Sequence, residues 1–164
     1  MYNYTIIEIN SIAILLLFFA YFTIKIFIFI KFHSKKNLLK KNRTLKKLKK
    51  LSWDDFELLC MELFEKQGWK VKGNSKKGAD GGVDIWMSKT YFNSKSTAIV
   101  QCKRYDTTRV TIKVIREMYG LMYEYDANKV FIVTTSSFTK ECYNFVKEKN
   151  IELINGAKLV KMIN

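Results

Sequence analysis

The sequence of 164 residues contains a single histidine, His33, and only three cysteines, Cys60, Cys102 and Cys142. His33 lies in a lysine-rich stretch, so the rest of the chain offers no histidine that could act as a base or a metal ligand. The cysteines are odd in number and far apart, and they form no Cys-x-x-Cys pair. A structural zinc site and any Ser-His-Asp or Cys-His catalyst are therefore excluded from the predicted domain, and a reducing compartment is indicated.

Charge is scarce at the start of the chain, where residues 1–30 carry only Glu8 and Lys25. Residues 9–30 are almost entirely apolar and would span about 33 Å as a helix, which matches the hydrocarbon core of a bilayer. A secretory signal peptide needs a basic beginning and a shorter apolar run, whereas no Lys or Arg precedes Lys25. The sequence therefore predicts one uncleaved transmembrane helix at residues 9–30.

The positive charge is concentrated beside this apolar segment. Residues 31–50 carry ten basic residues and no acidic one, whereas residues 51–164 carry 18 basic and 14 acidic residues. Because basic residues stay on the cytoplasmic side of a transmembrane helix, we expect a single-pass protein of the cell inner (cytoplasmic) membrane with its C-terminal domain in the cytoplasm. Residues 31–50 are predicted to be a basic juxtamembrane linker.

Three roles stay open for this linker. Leu38, Leu45 and Leu48 recur at roughly helical spacing, which suits an amphipathic helix lying against anionic lipid. The same lysines would attract DNA phosphates. The simplest alternative is a topology signal followed by a solvated spacer.

The pattern from residue 51 onwards predicts one α/β domain. An amphipathic helix that opens at Ser52 is followed by an edge strand, by two strands that pair as a hairpin, and by a helix that begins at Thr111. Short apolar runs at residues 130–133 and 151–154 predict buried strands, each followed by a helix. The order α-β-β-β-α-β-α-β-α indicates an α/β sandwich with a mixed sheet.

Four polar side chains are expected to converge in this domain. Alternation along the second hairpin strand places Gln101 and Lys103 on one face, while Asp84 lies on the neighbouring strand and Glu57 on the flank of the first helix. Two carboxylates and an amide oxygen are hard ligands that suit Mg²⁺, which retains waters that can act as nucleophiles. A lysine beside the metal can position water and stabilise charge on phosphorus. The combination suits phosphodiester hydrolysis.

Phosphate contacts are predicted in the glycine-rich loop before Asp84 and in the hydroxyl-rich segment 134–139. Ordinary roles stay open for several of these residues: Glu57 as a helix-flank acid, and the hydroxyls of 134–139 as caps of the next helix. The candidate DNA-binding residues are Lys76, Lys77, Gly81, Gly82, Arg104, Thr135, Ser136 and Lys140.

At these positions the domain resembles the Mrr-type branch of the PD-(D/E)xK nuclease superfamily, the fold of modification-dependent restriction endonucleases. The likeness covers roughly residues 51–160. It is carried by four motifs in order: Phe56-Glu57, the stretch from Gly78 to Asp84, the stretch from Val100 to Tyr105, and the stretch from Val133 to Lys140.

The resemblance implies a restriction-endonuclease-like αβββαβ core with a mixed central sheet. It implies that Asp84 is the main metal ligand, that Gln101 stands where most relatives have an acid, and that Lys103 is the catalytic lysine. Glu57 is implied as an auxiliary acidic ligand, with Mg²⁺ as the cofactor and Mn²⁺ as its substitute. The chain departs from the family where relatives carry a separate domain that reads the modified site, since the apolar segment and basic stretch stand in that place.

These expectations combine into a membrane-anchored, Mg²⁺-dependent endonuclease that cuts double-stranded DNA as a homodimer and restricts modified or foreign DNA. The alternative is a non-catalytic membrane-tethered DNA-binding module, supported by the charge of residues 31–50. A membrane scaffold with neither activity would leave the Gln101-x-Lys103 motif unexplained.

Overall fold

A computed structural model divides the chain into two compact units, Met1–Lys36 and Asn37–Asn164. The predicted loop residues Lys76, Lys77 and Gly81 lie outside the described residues, as does His33. The structure describes residues 14–26, 37–74, 82–92 and 94–164.

The first unit contains a helical stretch at residues 14–26, whose large apolar side chains are exposed, as at Leu15 (74%) and Phe18 (72%). No helix in the described part of the chain is long and apolar enough to cross a membrane. The predicted transmembrane helix at residues 9–30 is therefore not supported, and its two ends lie outside the described residues.

The second unit begins earlier than the sequence predicts. Helices α1 (Leu38–Lys41) and α2 (Leu45–Lys49) lie within the expected linker, and Leu39 and Leu48 are 2% and 0% exposed in the core. The Glu62 carboxylate accepts hydrogen bonds from the first two amides of α1, at 2.9 and 3.3 Å, where an acid complements the helix N-terminus. The folded unit thus starts at Asn37 rather than at residue 51, because Leu39 and Leu48 are part of its hydrophobic core.

Helix α3 (Trp53–Lys66) begins as predicted. The Ser52 side chain accepts a hydrogen bond from the Asp55 amide at 3.1 Å, which satisfies one of the unpaired donors of the first turn. The helix ends before Gly68, whose φ of +84° favours glycine.

The expected mixed sheet is confirmed, with strand order β1-β2-β3-β4-β5. The first three strands pair antiparallel and the last three pair parallel, so β3 is the strand at which the direction changes. The order of elements after α3 is the predicted one. Their bounds are β1 Lys70–Gly73, β2 Ile85–Tyr91, β3 Ser94–Lys103, α4 Ile112–Glu124, β4 Lys129–Thr134, α5 Lys140–Phe145, β5 Ile151–Ile154 and α6 Gly156–Ile163.

Alternation along the strands divides the hydrophobic core into two layers, one on each face of the sheet. On one face α3 packs over β3, and Phe64 belongs to one buried cluster with Val100 and Cys102. On the other face α4 packs against β3 and β4, and Ile99 lies in a second cluster with Ile115. Gln101 and Lys103 follow Ile99 at intervals of two, so they share the α4 face.

Candidate active site

The site is built around the Asp84 carboxylate, which is held at the entrance to β2. The Asp84 backbone amide donates to the Val100 carbonyl at 2.9 Å, and its carbonyl accepts from the Asn74 amide at 2.9 Å. Its Oδ2 accepts hydrogen bonds from Gln101 Nε2 at 2.5 Å and from the Cys102 amide at 2.6 Å. Both main chain and side chain of Asp84 are therefore fixed against β3.

Burial gives this carboxylate unusual electrostatics. Loss of water raises the pKa of the Asp84 carboxyl above its ordinary value, because the charged form is poorly solvated. The hydrogen bonds from Cys102 and Gln101 and the charge of Lys103 act in the opposite direction but do not cancel the burial effect. A bound cation would offset the same cost of a buried negative charge.

Gln101 and Lys103 stand next to Asp84, as the sequence predicts. Gln101 is buried, at 4% exposure, and because its Nε2 donates to Asp84, its Oε1 is directed elsewhere. The backbone carbonyl of Lys103 accepts a hydrogen bond from Thr134 Oγ1 at 2.7 Å, which ties the end of β3 to β4. The Lys103 ammonium is close enough to Asp84 to lower the pKa of its carboxyl.

Gln101 Oε1 lies close to Gly82. A Cβ on Gly82 would stand 2.8 Å from Gln101 Oε1 and 3.4 Å from Glu117 Oε1, and the Gly82 φ of +105° also favours glycine. Two side-chain oxygens from different elements thus border a small space that only glycine leaves open. An amide oxygen and a carboxylate oxygen at one place are ligands that suit a hard cation.

Glu117 is a further candidate residue that the sequence pattern did not predict. This exposed residue lies on α4, one turn before the buried Leu121, and its approach to Gly82 depends on how α4 packs on the sheet. The available signal was an acidic residue at the middle of a helix whose early turns carry Lys113 and Arg116.

Glu57 lies on α3, which covers the opposite face of the sheet from Gln101. The pKa of the Cys102 thiol is raised well above its usual range, chiefly by a hydrogen bond with Cys60 and by burial, and further by the charges of Asp84 and Glu57. Glu57 is therefore within electrostatic range of the site, but its role as a metal ligand stays a prediction. Cys102 stays protonated and is no nucleophile.

Two of the predicted DNA-binding residues make hydrogen bonds within the fold. Arg104 Nη1 donates to the Lys49 carbonyl at 2.8 Å, and its guanidinium lies 5.5 Å from the centre of the Trp53 ring. Thr135 is fully buried, and its hydroxyl donates to the Tyr105 carbonyl at 2.7 Å. Both side chains connect the end of β3 to neighbouring segments.

Ser136 and Lys140 are placed where a ligand can reach them. Ser136 lines a cavity of about 430 Å³ together with Lys49, Arg109 and the acidic Asp106, and Lys140 is exposed at the start of α5. The two cations and the hydroxyl could contact a phosphate, while the Asp106 carboxylate at the same cavity would oppose it. The DNA contacts of Ser136 and Lys140 stay predictions.

The donor set fits a divalent cation only if an amide takes part. Among the described residues no three His, Cys, Asp or Glu side chains come together as a metal cluster. Gln101 Oε1 and Glu117 Oε1 both border Gly82, and Gln101 also connects this position to Asp84, whose Oδ2 accepts from Gln101 Nε2. Hard oxygen donors of this kind, completed by water, are what Mg²⁺ prefers.

Comparisons with known proteins identify the same part of the chain. Residues 48–163 match the profile of the family Mrr_cat, described as restriction endonuclease. A solved structure is also similar: the DNA modification-dependent restriction endonuclease AspBHI superposes with a TM-score of 0.59 at 16% identity, over 79% of this chain and 34% of that one.

A further structure, the MspJI restriction endonuclease in complex with a 27-mer oligonucleotide, superposes with a TM-score of 0.45 at 16% identity, over 84% of this chain and 29% of that one. The chain thus spans about a third of the length of these two enzymes. No curated protein sequence matches it.

Proposed function

Because the match over residues 48–163 shows that this chain belongs to the restriction endonuclease family Mrr_cat, we propose that it is a metal-dependent endonuclease that hydrolyses phosphodiester bonds of double-stranded DNA. The observation that carries the proposal is the partly buried Asp84 carboxylate, hydrogen-bonded to Gln101 and close to the Lys103 ammonium. A partly buried carboxylate with a raised pKa beside a lysine is typical of a functional site.

Each residue of the site has a separate role in the proposed hydrolysis. Asp84, Gln101 and Glu117 offer oxygen ligands for Mg²⁺, with Mn²⁺ as a substitute, and the ion supplies Lewis acidity and a more acidic water when it is bound. The hydrogen bond from Gln101 Nε2 holds the Asp84 carboxylate in one orientation. Lys103 attracts the phosphate and stabilises the negative charge that develops on it during hydrolysis. Glu57 is retained as an auxiliary acid.

The test is a cleavage assay with the full chain in detergent micelles, on linear and supercoiled DNA with Mg²⁺ or Mn²⁺. Lys103→Ala should lower the rate by about 10²- to 10³-fold, the loss typical of one transition-state donor. Lys95→Ala, an exposed lysine on the same strand, serves as the matched control and should cut normally.

Failure of the wild type to nick or cut any DNA, or full activity in Lys103→Ala, would contradict the proposal. Salt-dependent DNA binding without cleavage would instead favour the non-catalytic DNA-binding module. Methylated and unmethylated substrates compared in parallel distinguish restriction of modified DNA from restriction of foreign DNA in general.

The proposed attachment to the inner membrane depends on residues 14–26. Their exposed apolar side chains need cover from water, and the apolar sequence continues on both sides of them to residues 9 and 30. A spanning helix there, with the basic residues and the nuclease in the cytoplasm, accounts for both features. The full chain should then sediment with membranes after carbonate washing, and Phe18→Glu should release it. Recovery of the wild type in the wash would reject the attachment.

We expect cutting of both strands to need two copies of the chain, since one site hydrolyses one bond at a time. Light scattering of the detergent-solubilised protein on duplex DNA should give the mass of a homodimer. A monomer that linearises plasmid at first-order rate would oppose this expectation.

A further inference from the structure

The α4 face of the sheet is only partly covered by α4. Beyond the edge of that helix, β1 and β2 border a cavity of about 480 Å³, a size in the range of small-ligand sites. Its lining residues are Lys70, Val71, Lys72, Trp86, Met87, Ser88, Thr97, Ala98, Ile99, Tyr125 and Ala127.

The cavity lies beside the proposed active site and on the same face. Trp86 pairs with Ile99 across the hairpin, and these residues follow Asp84 and precede Gln101 by two positions. Two residues along a strand correspond to roughly 7 Å. A single nucleic-acid strand can therefore occupy the cavity and the site of Asp84 together.

Two aromatic rings form the apolar part of the cavity. Trp86 and Tyr125 meet edge to face, with ring centroids 4.7 Å apart and an interplanar angle of 80°. Trp86 is half-buried and Tyr125 is exposed, so part of this pair of rings is accessible to a ligand. A perpendicular pair of rings presents one surface for stacking and one for lateral contact, which suits a flat ring.

The rest of the lining is polar or basic. Register places Lys70 opposite Ser88, and Lys72 opposite Trp86, so both exposed lysines stand over the cavity from the edge strand. Thr97 pairs with Ser88 on the other side. None of the lining residues that the structure describes is acidic. The cavity therefore fits a flat heteroaromatic ring attached to a negative group.

We propose that this cavity binds one unpaired nucleobase of the DNA strand being cut, with the neighbouring phosphates on Lys70 and Lys72. The inference rests on the proposed endonuclease function and extends it to the form of the substrate. A base in an intact duplex is stacked and cannot enter, whereas an unpaired base stacks on an aromatic side chain at little cost. DNA with an unpaired base beside the cut should be preferred over perfect duplex.

The test measures binding by the full chain in detergent, without divalent metal, to a duplex with one unpaired base and to the matched perfect duplex. Trp86→Ala should weaken binding to the unpaired-base DNA by about tenfold and leave the perfect duplex unchanged. Trp86→Phe should retain most of the affinity. Tyr91→Ala, an exposed aromatic on the same strand outside the cavity, is the control.

Surface variants test the cavity without disturbing the core. Tyr125→Leu should lower the preference for the unpaired base, and Lys70→Gln with Lys72→Gln should weaken the salt dependence of binding, whereas Lys95→Gln should do neither. Variants that are folded by thermal melting and bind both DNAs as the wild type does would overturn the proposal. So would an equal loss for both DNAs, or binding of deoxyadenosine monophosphate as tight as that of the unpaired-base DNA.

The two proposals can fail separately. A wild type that cuts duplex DNA without preferring an unpaired base refutes the cavity assignment alone. A wild type that binds and cuts no DNA refutes the endonuclease function, and the cavity assignment with it.

Discussion

The two faces of β3 bury different kinds of side chains. Towards α3, Val100 and Cys102 share an apolar cluster with Phe64, and the pKa of the Cys102 thiol is raised well above its usual range. Towards α4, the same strand buries Gln101 beside Asp84 and presents Lys103. Since the alternation has a period of two, successive side chains at the end of β3 point alternately into the apolar core under α3 and towards the site of Asp84. Variants on each face should therefore have separable effects.

The largest expected effect lies on the α3 face. Phe64 is fully buried, and its ring centroid is 5.0 Å from that of Phe131, so Phe64→Ala removes an aromatic contact and leaves a cavity. The free energy of unfolding should fall by about 3–5 kcal/mol. Urea unfolding followed by tryptophan fluorescence measures this loss, and Phe64→Leu is the milder control. Cleavage per folded molecule in the cold should be unchanged; a drop would show that the two faces are coupled.

On the α4 face, Gly82→Ala should affect catalysis more than stability. The new Cβ would stand 2.8 Å from Gln101 Oε1, in a conformation with φ of +105°, and would displace that oxygen. A shift of this size next to the reacting groups should lower the cleavage rate by about a hundredfold. Gly120→Ala is the matched control, because nothing lies within 4 Å of its Cβ, and it should cut normally.

Glu117→Gln tests whether α4 contributes a ligand. The substitution keeps the shape of the side chain but removes its charge, so the affinity for Mg²⁺ or Mn²⁺ should fall by about tenfold. Calorimetric titration of the metal measures this directly, with Glu124→Gln near the end of the same helix as the control. Unchanged metal affinity would limit the site to residues of the hairpin.

The sequence predicted the features that depend on local pattern. The cap at Ser52 follows from the chemistry of helix N-termini. The hairpin, with Gln101 and Lys103 on one face of it, follows from the alternation of side chains along a strand. Asp84 meeting Gln101 follows from the hairpin register.

Features set by packing between distant segments could not be predicted in this way. The burial of Leu48 depends on which surface a lysine-rich segment meets, and charge alone favours solvent or lipid. The approach of Glu117 to Gly82 depends on the position of α4 over the sheet. Thr135 is a candidate phosphate contact in the sequence. Its hydroxyl donates a hydrogen bond to the Tyr105 carbonyl, because β4 runs beside the end of β3.

The smallest effect expected is on stability at the active site itself. Burial raises the pKa of the Asp84 carboxyl, so its charged form destabilises the folded state at neutral pH. Asp84→Asn should therefore abolish cleavage and yet raise the melting temperature slightly at pH 7. The Asp84 carboxyl binds a proton more tightly in the folded protein than in the unfolded chain. The stability of the wild type relative to Asp84→Asn should therefore rise as the pH falls from the raised pKa of Asp84 to the ordinary pKa of an aspartate. Thermal melts of both proteins across this range measure the difference. A wild type that loses stability relative to the variant on acidification would contradict this expectation. It would mean that the hydrogen bonds from Gln101 and Cys102 stabilise the charged carboxylate more than burial destabilises it.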